Sequence, residues 1–446
     1  MDVVENMYVT GNFAPVEQEV TAFDLPVVGE LPRELNGRYL RNGPNPFGPV
    51  DPGTHHWFMG DGMVHGVRLR DGKAEWYRNR YVGSTALQRS RGLPDISGRN
   101  WNASDIGPNT NVAGFAGTTW ATVEAGSCPV ELTYELETVG RNDFFGTLPG
   151  AFTAHPKYDP ATGELHAMTY AWAQWLDHVQ YVVVAPDGRV RRTLDIPLPG
   201  MTMLHDMSLT QRYAVVYDQP VTVDLELAFA GRFPFLWNPD YGCRLGLLPR
   251  NGEASDIIWI DAPVSYTYHP MNAYDDSDGR VVIDQCVYDR MFDQEIIGPF
   301  GDTMARLERW VLDPVARTCS VSVIDDHPTE FPRHRGSLTA QPYRYGYAVR
   351  PGERPGERPE WSTVKYDLHT GTVTEFDHGP GRGSGEAVFV ARGAEEDDGW
   401  LISIVHDVPN ESADLVVLDA QELREVARVH LPQRVPYGFH GNWVAD

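Results

Sequence analysis

Cysteine, basic charge, long apolar runs and helical periodicity are all scarce in this chain of 446 residues. The four cysteines, Cys128, Cys243, Cys286 and Cys319, show no CxxC spacing, which argues against a thiolate zinc site and favours reduced, mostly buried thiols. Lysine and arginine number 37 against 62 acidic residues, giving a net charge of −25. Nucleic acid and anionic membrane surfaces would repel such a protein, so we expect no nucleic-acid partner.

Targeting and nucleotide-binding motifs are also missing. The N-terminal segment has no basic stretch followed by an apolar core, and apolar runs such as residues 181–185 are too short to span a bilayer. We therefore predict no signal peptide and no transmembrane helix, and we infer a cytoplasmic location. Neither GxGxxG nor a P-loop occurs, since the glycines of residues 381–385 have the spacing of neither motif.

What the sequence does contain is a long series of short strand-like segments. Segments rich in β-branched and aromatic residues, such as 165–170, 213–217 and 401–405, alternate with Gly, Asp and Pro turns from about residue 35 onward. This pattern predicts an all-β protein built as a sandwich, a barrel or a propeller.

Chain length separates these three architectures. Sandwiches and small barrels rarely exceed roughly 250 residues, whereas seven propeller blades would take roughly 64 residues each. We therefore predict a seven-bladed β-propeller. No composition shift marks an internal boundary, so we expect a single propeller domain over residues 1–446, with 1–30 as an N-terminal extension.

Residues 225–237 (LELAFAGRFPFLW) form the densest apolar and aromatic stretch, with a plausible helix start. One interpretation is a helix in a loop that caps the core. The other is an apolar patch that dips into a lipid surface, so that a hydrophobic substrate enters the protein without crossing water. Both interpretations remain open at the level of sequence.

Four of the 15 histidines stand alone in loop-like contexts beside Pro, Gly or Asp: His155, His205, His269 and His440. They are 50, 64 and 171 residues apart, or about one, one and three blades. One loop per blade reaches the axis of a propeller, so four distant imidazoles can meet there. The adjacent pair at 55 and 56 would point to opposite faces of a strand and is not expected to share an ion.

A family resemblance distinguishes these four histidines, as candidate functional residues, from histidines that only pack within the fold. The chain resembles the carotenoid cleavage oxygenase family, and especially its actinobacterial carotenoid and apocarotenoid dioxygenases. The matching stretches follow the family's order: LNGRYLRNGPNPF (35–47), HWFMGDGMVHGV (56–67), NTNV (109–112), TAHPKYDPATGELHA (153–167), HDMSLT (205–210), YHPMNAYDD (268–276), EFPR (330–333), GSGEAVFV (383–390), EEDDGWL (395–401) and VPYGFHGNW (435–443).

The resemblance implies a seven-bladed β-propeller with a cap of helices and loops on one face. It also implies one non-haem Fe(II) ion per chain on the propeller axis. By motif, the four ligands would be His155, His205, His269 and His440. Imidazole also suits zinc and copper, so the identity of the metal rests on the resemblance and not on the ligand type.

Four neutral imidazoles leave the charge of a buried divalent ion uncompensated, so carboxylates close behind the ligands are expected on physical grounds. The family supplies three glutamates that accept the Nδ1 protons of ligand histidines. The matching positions here are Glu124, which would orient His205, Glu330, which would orient His269, and Glu386, which would orient His440. Thr110 matches a position near the open metal sites, where it would shape access of O2 or substrate.

The activity that the resemblance implies is oxidative scission of one C=C bond of a carotenoid or apocarotenoid by O2. The products are two aldehydes or ketones, and no reducing cosubstrate is needed. The expected partners are therefore a hydrophobic polyene and O2, with candidate peripheral membrane contact through 225–237 and no obligate protein partner.

A stilbene- or phenylpropene-cleaving activity is the alternative within the family. The phenol-cleaving branch carries a Lys before the first of the three glutamates and a Tyr upstream of its NT pair. Here these positions are Val123 and Gly98, so a polyene is favoured. A catalytically silent propeller binding module and an isomerohydrolase acting on retinoid esters are the two further readings.

Overall fold

The computed structural model describes residues 6–99, 107–125, 128–171, 174–351 and 361–446. Within these residues, seven antiparallel sheets are arranged as the blades of a β-propeller. The predicted all-β class and seven-bladed architecture are thereby confirmed. Contacts between the first strands of neighbouring blades converge on the axis of the ring.

Blade 1 combines strands from both ends of the chain. From the outside to the axis, its strands are Thr21–Phe23, Lys73–Tyr81, Gly62–Arg70, Gly37–Pro44 and Gly441–Ala445. The C-terminal strand pairs with Gly37–Pro44 so that Gly441 lies opposite Arg41. This pairing closes the ring and places the residue before Gly441 at the axis.

Blades 2, 3 and 4 each contain four strands in chain order, with the first strand nearest the axis. Blade 2 comprises Asn111–Phe115, Thr118–Thr122, Val130–Leu132 and Thr138–Arg141; blade 3, Lys157–Asp159, Glu164–Thr169, His178–Val184 and Val190–Pro197; blade 4, Ser208–Leu209, Tyr213–Asp218, Arg244–Pro249 and Ile258–Asp261.

Blades 5, 6 and 7 continue the same order, and the last blade borrows a strand from the N-terminal region. Blade 5 comprises Pro270–Asp275, Val281–Val287, Arg306–Asp313 and Thr318–Asp325; blade 6, Glu330–His334, Tyr345–Arg350, Ser362–Asp367 and Thr372–Phe376; blade 7, Arg382–Ser384, Val388–Ala391, Gly399–Asp407, Ser412–Asp419, Arg424–His430 and Val27–Gly29.

Burial follows position within a blade. The second strand of blade 5, Val281–Val287, is buried along its whole length because other blades cover both of its faces. Ile283 and Trp310 of this blade pack against Val215 of blade 4. The outermost strand Thr318–Asp325 is mostly exposed, as expected for a strand on the rim of the ring.

Helices are few and short in the described part of the chain. The α-helices are α1 (Thr85–Ser90) and α2 (Leu225–Phe229), and the 3-10 turns are Met7–Val9, Gly11–Phe13, Trp57–Met59, Ala254–Asp256, Gly336–Leu338 and Val408–Asn410. None of these helices has the length and apolarity needed to cross a bilayer.

Helix α2 opens the apolar stretch 225–237. The Asp224 carboxylate caps it by accepting the backbone N–H of Leu227 at 2.9 Å. Leu225 and Phe229 are exposed, and the side chains of α2 contribute nothing to the core. Two short strands, Val221–Val223 and Phe235–Trp237, pair on either side of the helix.

The cysteines are as the sequence predicted. All four are free, and only Cys319 is partly exposed. Burial raises the pKa of Cys128 and Cys243 to about 12, which keeps both thiols protonated.

Candidate metal centre and substrate cavity

The four predicted histidines meet at the axis of the propeller. His155, His205, His269 and His440 each precede the axial strand of a blade by one to three residues, in blades 3, 4, 5 and 1. The interval of 171 residues is explained by blades 6 and 7, which the chain completes before it returns to blade 1. The structure therefore brings together all four residues that the sequence singled out.

The imidazoles face one another at short range. One nitrogen of each His ring lies within 4.8 Å of the corresponding nitrogen of the other three. The rings of His155 and His205 are 4.4 Å apart between centroids, and Nε2 of His205 lies 3.2 Å from Nε2 of His269. The cluster is enclosed, and even the most accessible of the four side chains, that of His269, is only 12% exposed.

Three glutamates lie behind three of the histidines. The Glu124 carboxylate accepts from Nδ1 of His205 at 2.5 Å and the Glu330 carboxylate from Nδ1 of His269 at 2.6 Å. Nδ1 of His440 donates to Glu386 at 3.0 Å. The three pairs are those that the sequence motifs predicted.

These pairs fix which ring nitrogen carries the proton. A carboxylate accepting at Nδ1 keeps the proton there, so Nε2 of the same ring presents a lone pair. Nε2 of His205 and Nε2 of His269, which are 3.2 Å apart, then face each other with two lone pairs. Nε2 of buried His155 has no hydrogen-bond partner. A divalent cation satisfies all these nitrogens at once, so the donor set fits a metal ion bound by four imidazoles.

The charges around the histidine cluster also fit a divalent cation. Arg333 donates to both oxygens of Glu386 at 2.8 Å. Burial by itself raises the pKa of a carboxyl, but Arg333 and His440 outweigh burial and hold the pKa of Glu386 far below its usual range. Glu330 likewise keeps a lowered pKa despite burial because His269 stands beside it. A divalent ion together with Arg333 would neutralise the three carboxylates.

Two tyrosines hydrogen-bond to the other two glutamates, and the sequence analysis did not predict these tyrosines. The Tyr170 hydroxyl donates to Oε1 of Glu124 at 2.5 Å, and the Tyr288 hydroxyl donates to Oε1 of Glu330 at 2.8 Å. Arg333 was inside a quoted motif, three residues after Glu330, but its role was not predicted. The two tyrosines had no comparable signal, because each lies far along the chain from its partner.

The fourth histidine has a different neighbour. Nδ1 of His155 lies 3.8 Å from Oδ2 of Asp206, which is too long for a hydrogen bond. That oxygen accepts from Nζ of Lys157 at 2.7 Å. His155 is therefore held without a direct carboxylate partner.

An apolar cavity of about 310 Å³ reaches the His cluster. Its walls include Phe58, Phe233, Phe331, Trp361 and Phe439. Phe331 stacks on His269 with the ring centroids 5.5 Å apart. His205, His269 and His440 also line the cavity, so a hydrophobic substrate bound here would lie directly beside three of the four histidines.

The remaining predicted positions divide between the cavity and the surface. Thr110 and Val123 line the cavity, and the Thr110 hydroxyl donates to Oδ1 of Asn109 at 2.9 Å. Gly98 is exposed and is not among the described residues that line the cavity, so the substrate argument drawn from Gly98 stays a prediction. His55 and His56 precede the 3-10 turn Trp57–Met59 and do not lie on a strand.

Residues 225–237 contribute both to the outer surface of the protein and to the wall of the cavity. Helix α2 is exposed, as described above, while Phe233, Pro234 and Phe235 line the cavity. Ala228 of α2 also lines the cavity, so the helix and the segment after it both contribute to the cavity wall, while Leu225 and Phe229 remain exposed.

Comparison with known proteins gives one consistent family. The family model described as retinal pigment epithelial membrane protein matches residues 13–445. A carotenoid cleavage oxygenase of Mycobacterium tuberculosis is 44% identical over 98% of this chain and 97% of its own length. A carotenoid 9,10(9',10')-cleavage dioxygenase of Crocus sativus is 33% identical over 98% of this chain and 89% of its own length.

Solved structures show the same fold. A lignostilbene dioxygenase of Pseudomonas brassicacearum superposes with a TM-score of 0.90 at 31% identity, covering all of both chains. The cobalt-substituted apocarotenoid oxygenase of Synechocystis superposes with a TM-score of 0.85 at 25% identity, covering 97% of each chain.

Proposed function

The chain belongs to the carotenoid cleavage oxygenase family, and we propose that it is a non-haem iron(II) dioxygenase that cleaves one C=C bond of a carotenoid or apocarotenoid. In this reaction each of the two alkene carbons receives one oxygen atom of O2, and two carbonyl products leave. No reductant is consumed because the alkene supplies the electrons.

The observation that carries the proposal is the convergence of four Nε2 lone pairs on one point in the wall of an apolar cavity. His155, His205, His269 and His440 would hold one iron(II) ion per chain. Bound there with no carboxylate ligand and with coordination positions left open, the iron would supply activation of O2.

The protein's own contribution is orientation and exclusion of water. Glu124, Glu330 and Glu386 fix the tautomer and direction of three ligand rings through their Nδ1 protons. The aromatic walls, among them Phe331 beside His269, position an alkene next to the cluster and keep water from the reacting carbons.

The substrate class is supported by the names of relatives and by one cavity residue. The Mycobacterium tuberculosis and Crocus sativus relatives are both named as carotenoid-cleaving enzymes. Val123 lines the cavity at the position where the phenol-cleaving branch carries Lys, so a phenolate would find no cation there. Both points favour a polyene.

Stilbene cleavage is a second candidate with an observation of its own. The lignostilbene dioxygenase of Pseudomonas brassicacearum shares this fold at a TM-score of 0.90.

Thr110 also lines the cavity, where its placement fits the predicted role in access of O2 or substrate.

The deciding experiment is aerobic turnover of the iron(II)-loaded protein with carotenoids, apocarotenals and hydroxystilbenes, with products identified by mass. We expect carbonyl products from polyenes only, and their masses would locate the cleaved bond. Val123→Lys should lower polyene turnover and is the matched test of the cavity argument. Products from stilbenes only would refute the polyene assignment, and no product from any substrate would indicate a silent binding module.

A separate pair of variants tests the ligand set. His269→Ala should abolish both metal binding and turnover, because three imidazoles and an empty position remain. His178→Ala, outside the cluster, is the control and should leave both unchanged. Metal analysis of protein reconstituted with iron, zinc or copper would identify the ion that supports turnover.

Membrane contact through 225–237 completes the proposal. Phe229 is 88% exposed on α2, and Phe233 a few residues later lines the cavity, so a lipid-bound polyene has a short apolar route inward. Flotation with neutral liposomes should carry the protein upward, and Phe229→Ser should reduce the floating fraction. The strong negative charge predicts weaker flotation on anionic liposomes.

A further inference from the structure

A second, smaller cavity of about 200 Å³ adjoins the apolar one. The two cavities share Met59, Gly231, Arg232 and Phe233 in their walls. The smaller cavity differs in character, because its other lining residues are mostly polar: Val50, Asp51, Thr54, His55 and His56. The apolar cavity therefore adjoins a polar pocket that is open to solvent, which we call the end chamber.

Arg232 stands at the junction of the two cavities without a partner. Among the described residues, its guanidinium has no hydrogen bond, ion pair or cation–π contact, although its side chain is half-buried. Its backbone N–H donates to the carbonyl of Leu227 at 3.0 Å, which anchors the main chain after α2. The guanidinium nitrogens are not among the buried unpaired atoms of the described residues, so the five donors are accessible to a ligand that enters here.

His56 presents a second donor in the same wall. The side chain is 2% exposed, and its Nδ1 accepts from the backbone N–H of Phe58 at 3.1 Å. Burial lowers the pKa of His56, so the ring is neutral and its single proton is on Nε2. That Nε2 has no partner, while the ring stacks on Phe233 with centroids 3.7 Å apart.

The one carboxylate of the end chamber is already engaged. Oδ1 of Asp51 accepts from the backbone N–H of Gly53 at 2.9 Å, and Oδ2 accepts from the Thr54 hydroxyl at 3.3 Å. Asp51 forms a turn with these residues and makes no ion pair with Arg232. Among the described lining residues, Arg232 and His56 therefore offer unpaired side-chain donors at the junction.

We propose that the end chamber binds the oxygen-bearing end group, a carbonyl or carboxylate, of a polyene that lies in the apolar cavity, with Arg232 and His56 as donors. The inference rests on the proposed function and narrows its substrate to apocarotenoids that end in an aldehyde or acid. A hydrocarbon end would leave both donors unpaired, whereas an oxygen accepts from a charged guanidinium. We expect oxygenated ligands to bind about tenfold or more tightly than the matched hydrocarbon.

The test is ligand binding to the metal-loaded protein without O2, so that no turnover occurs. Trp57 and Trp361 line the apolar cavity, and quenching of tryptophan fluorescence by the polyene reports occupancy. The three probes are an apocarotenoic acid, the apocarotenal of the same carbon skeleton and the corresponding hydrocarbon.

Variants of the two donors separate the end chamber from the rest of the cavity. Arg232→Gln should weaken the acid and the aldehyde about tenfold and leave the hydrocarbon unchanged. Arg232→Lys should retain part of the affinity for the acid. His56→Phe keeps a ring over Phe233 and should weaken the same two probes by a smaller factor. Arg33→Gln removes the same charge from an exposed loop position and should change nothing.

Three results would overturn the inference. The acid and aldehyde could bind no more tightly than the hydrocarbon, Arg232→Gln could weaken all three probes equally, or it could change only binding to vesicles containing anionic phospholipid. The last result would assign Arg232 to a lipid headgroup. Failure of the proposed function has a different signature, namely intact anaerobic binding with no carbonyl product after O2 is admitted.

Discussion

Arg333 donates to both carboxylate oxygens of Glu386 at 2.8 Å, and Glu386 in turn accepts from Nδ1 of His440. Arg333 thus hydrogen-bonds to a carboxylate that in turn hydrogen-bonds to an imidazole of the candidate metal site. Glu386 is only 4% exposed, so its charge depends on this partner.

Arg333→Met is expected to lower the free energy of unfolding of the metal-free protein by about 3 kcal/mol, because it leaves the Glu386 charge buried with one cationic partner fewer. Denaturant unfolding measures the change. Arg424→Met breaks an exposed ion pair with Glu422 and should cost less than about 1 kcal/mol. Equal losses in the two variants would contradict the special role of the buried pair.

Glu386→Ala is expected to weaken metal binding by about tenfold or more, since His440 loses the acceptor that fixes its tautomer. Competition with a chelator under limiting iron(II) gives the affinity. Glu375→Ala, on the outer strand of blade 6, is the control. Equal metal occupancy in the Glu386 variant and the parent would falsify the prediction.

Tyr170→Phe and Tyr288→Phe should each weaken metal binding severalfold while the fold is retained, because each removes one hydrogen bond to a carboxylate that orients a ligand ring. Tyr266→Phe is a close control, since the Tyr266 hydroxyl donates to the backbone carbonyl of Met203 at 2.9 Å and not to a glutamate. Chelator competition again reads the affinity, and thermal unfolding checks the fold. A similar loss in the Tyr266 variant would mean that general packing, and not the glutamate contact, sets the affinity.

Asp61→Asn is expected to stabilise the protein at neutral pH. Burial raises the pKa of Asp61 to about 6, above the value near 3.9 of an unfolded chain, so the ionised form is disfavoured in the folded state. The variant should gain about 1–3 kcal/mol above pH 6, and the gain should shrink as the pH falls from about 6 to about 4, where the folded carboxyl takes up its proton. Urea unfolding at several pH values measures this; a gain that grows toward low pH would contradict the assignment.

The four thiols should be unreactive in the native state. Burial keeps Cys128 and Cys243 protonated, and a protonated thiol is a poor nucleophile. Ellman's reagent should react slowly with the folded protein and with four thiols per chain after unfolding. Fewer than four in the unfolded protein would indicate a disulfide.

Much of the active centre could be predicted because its residues lie in local motifs. His155, His205 and His269 occur at intervals of about one blade, and the propeller geometry turns that interval into convergence on the axis. Glu330 and Glu386 lie within short matching stretches, and Glu124 was assigned by its position in the family pattern.

Other features could not be predicted because no local pattern encodes them. Tyr170 meets Glu124 only because blades 2 and 3 are neighbours, and the closing strand Gly441–Ala445 brings His440 to the axis from the far end of the chain. The exposed position of Gly98 could not be predicted for the same reason, since position in a motif does not tell whether a residue faces the cavity.

The sequence by itself, with the family motifs it contains, determined the all-β class, the blade count, the four histidines of the candidate metal site and the carboxylates beside them, since strand periodicity and motifs are properties of neighbouring residues. The tertiary structure alone decided which tyrosines and which arginine hold those carboxylates, where the apolar cavity adjoins the end chamber, and that Arg232 and His56 stand unpaired at that junction. Such relationships depend on the closure of the ring and on the packing of loops from different blades, which bring together side chains that are far apart along the chain.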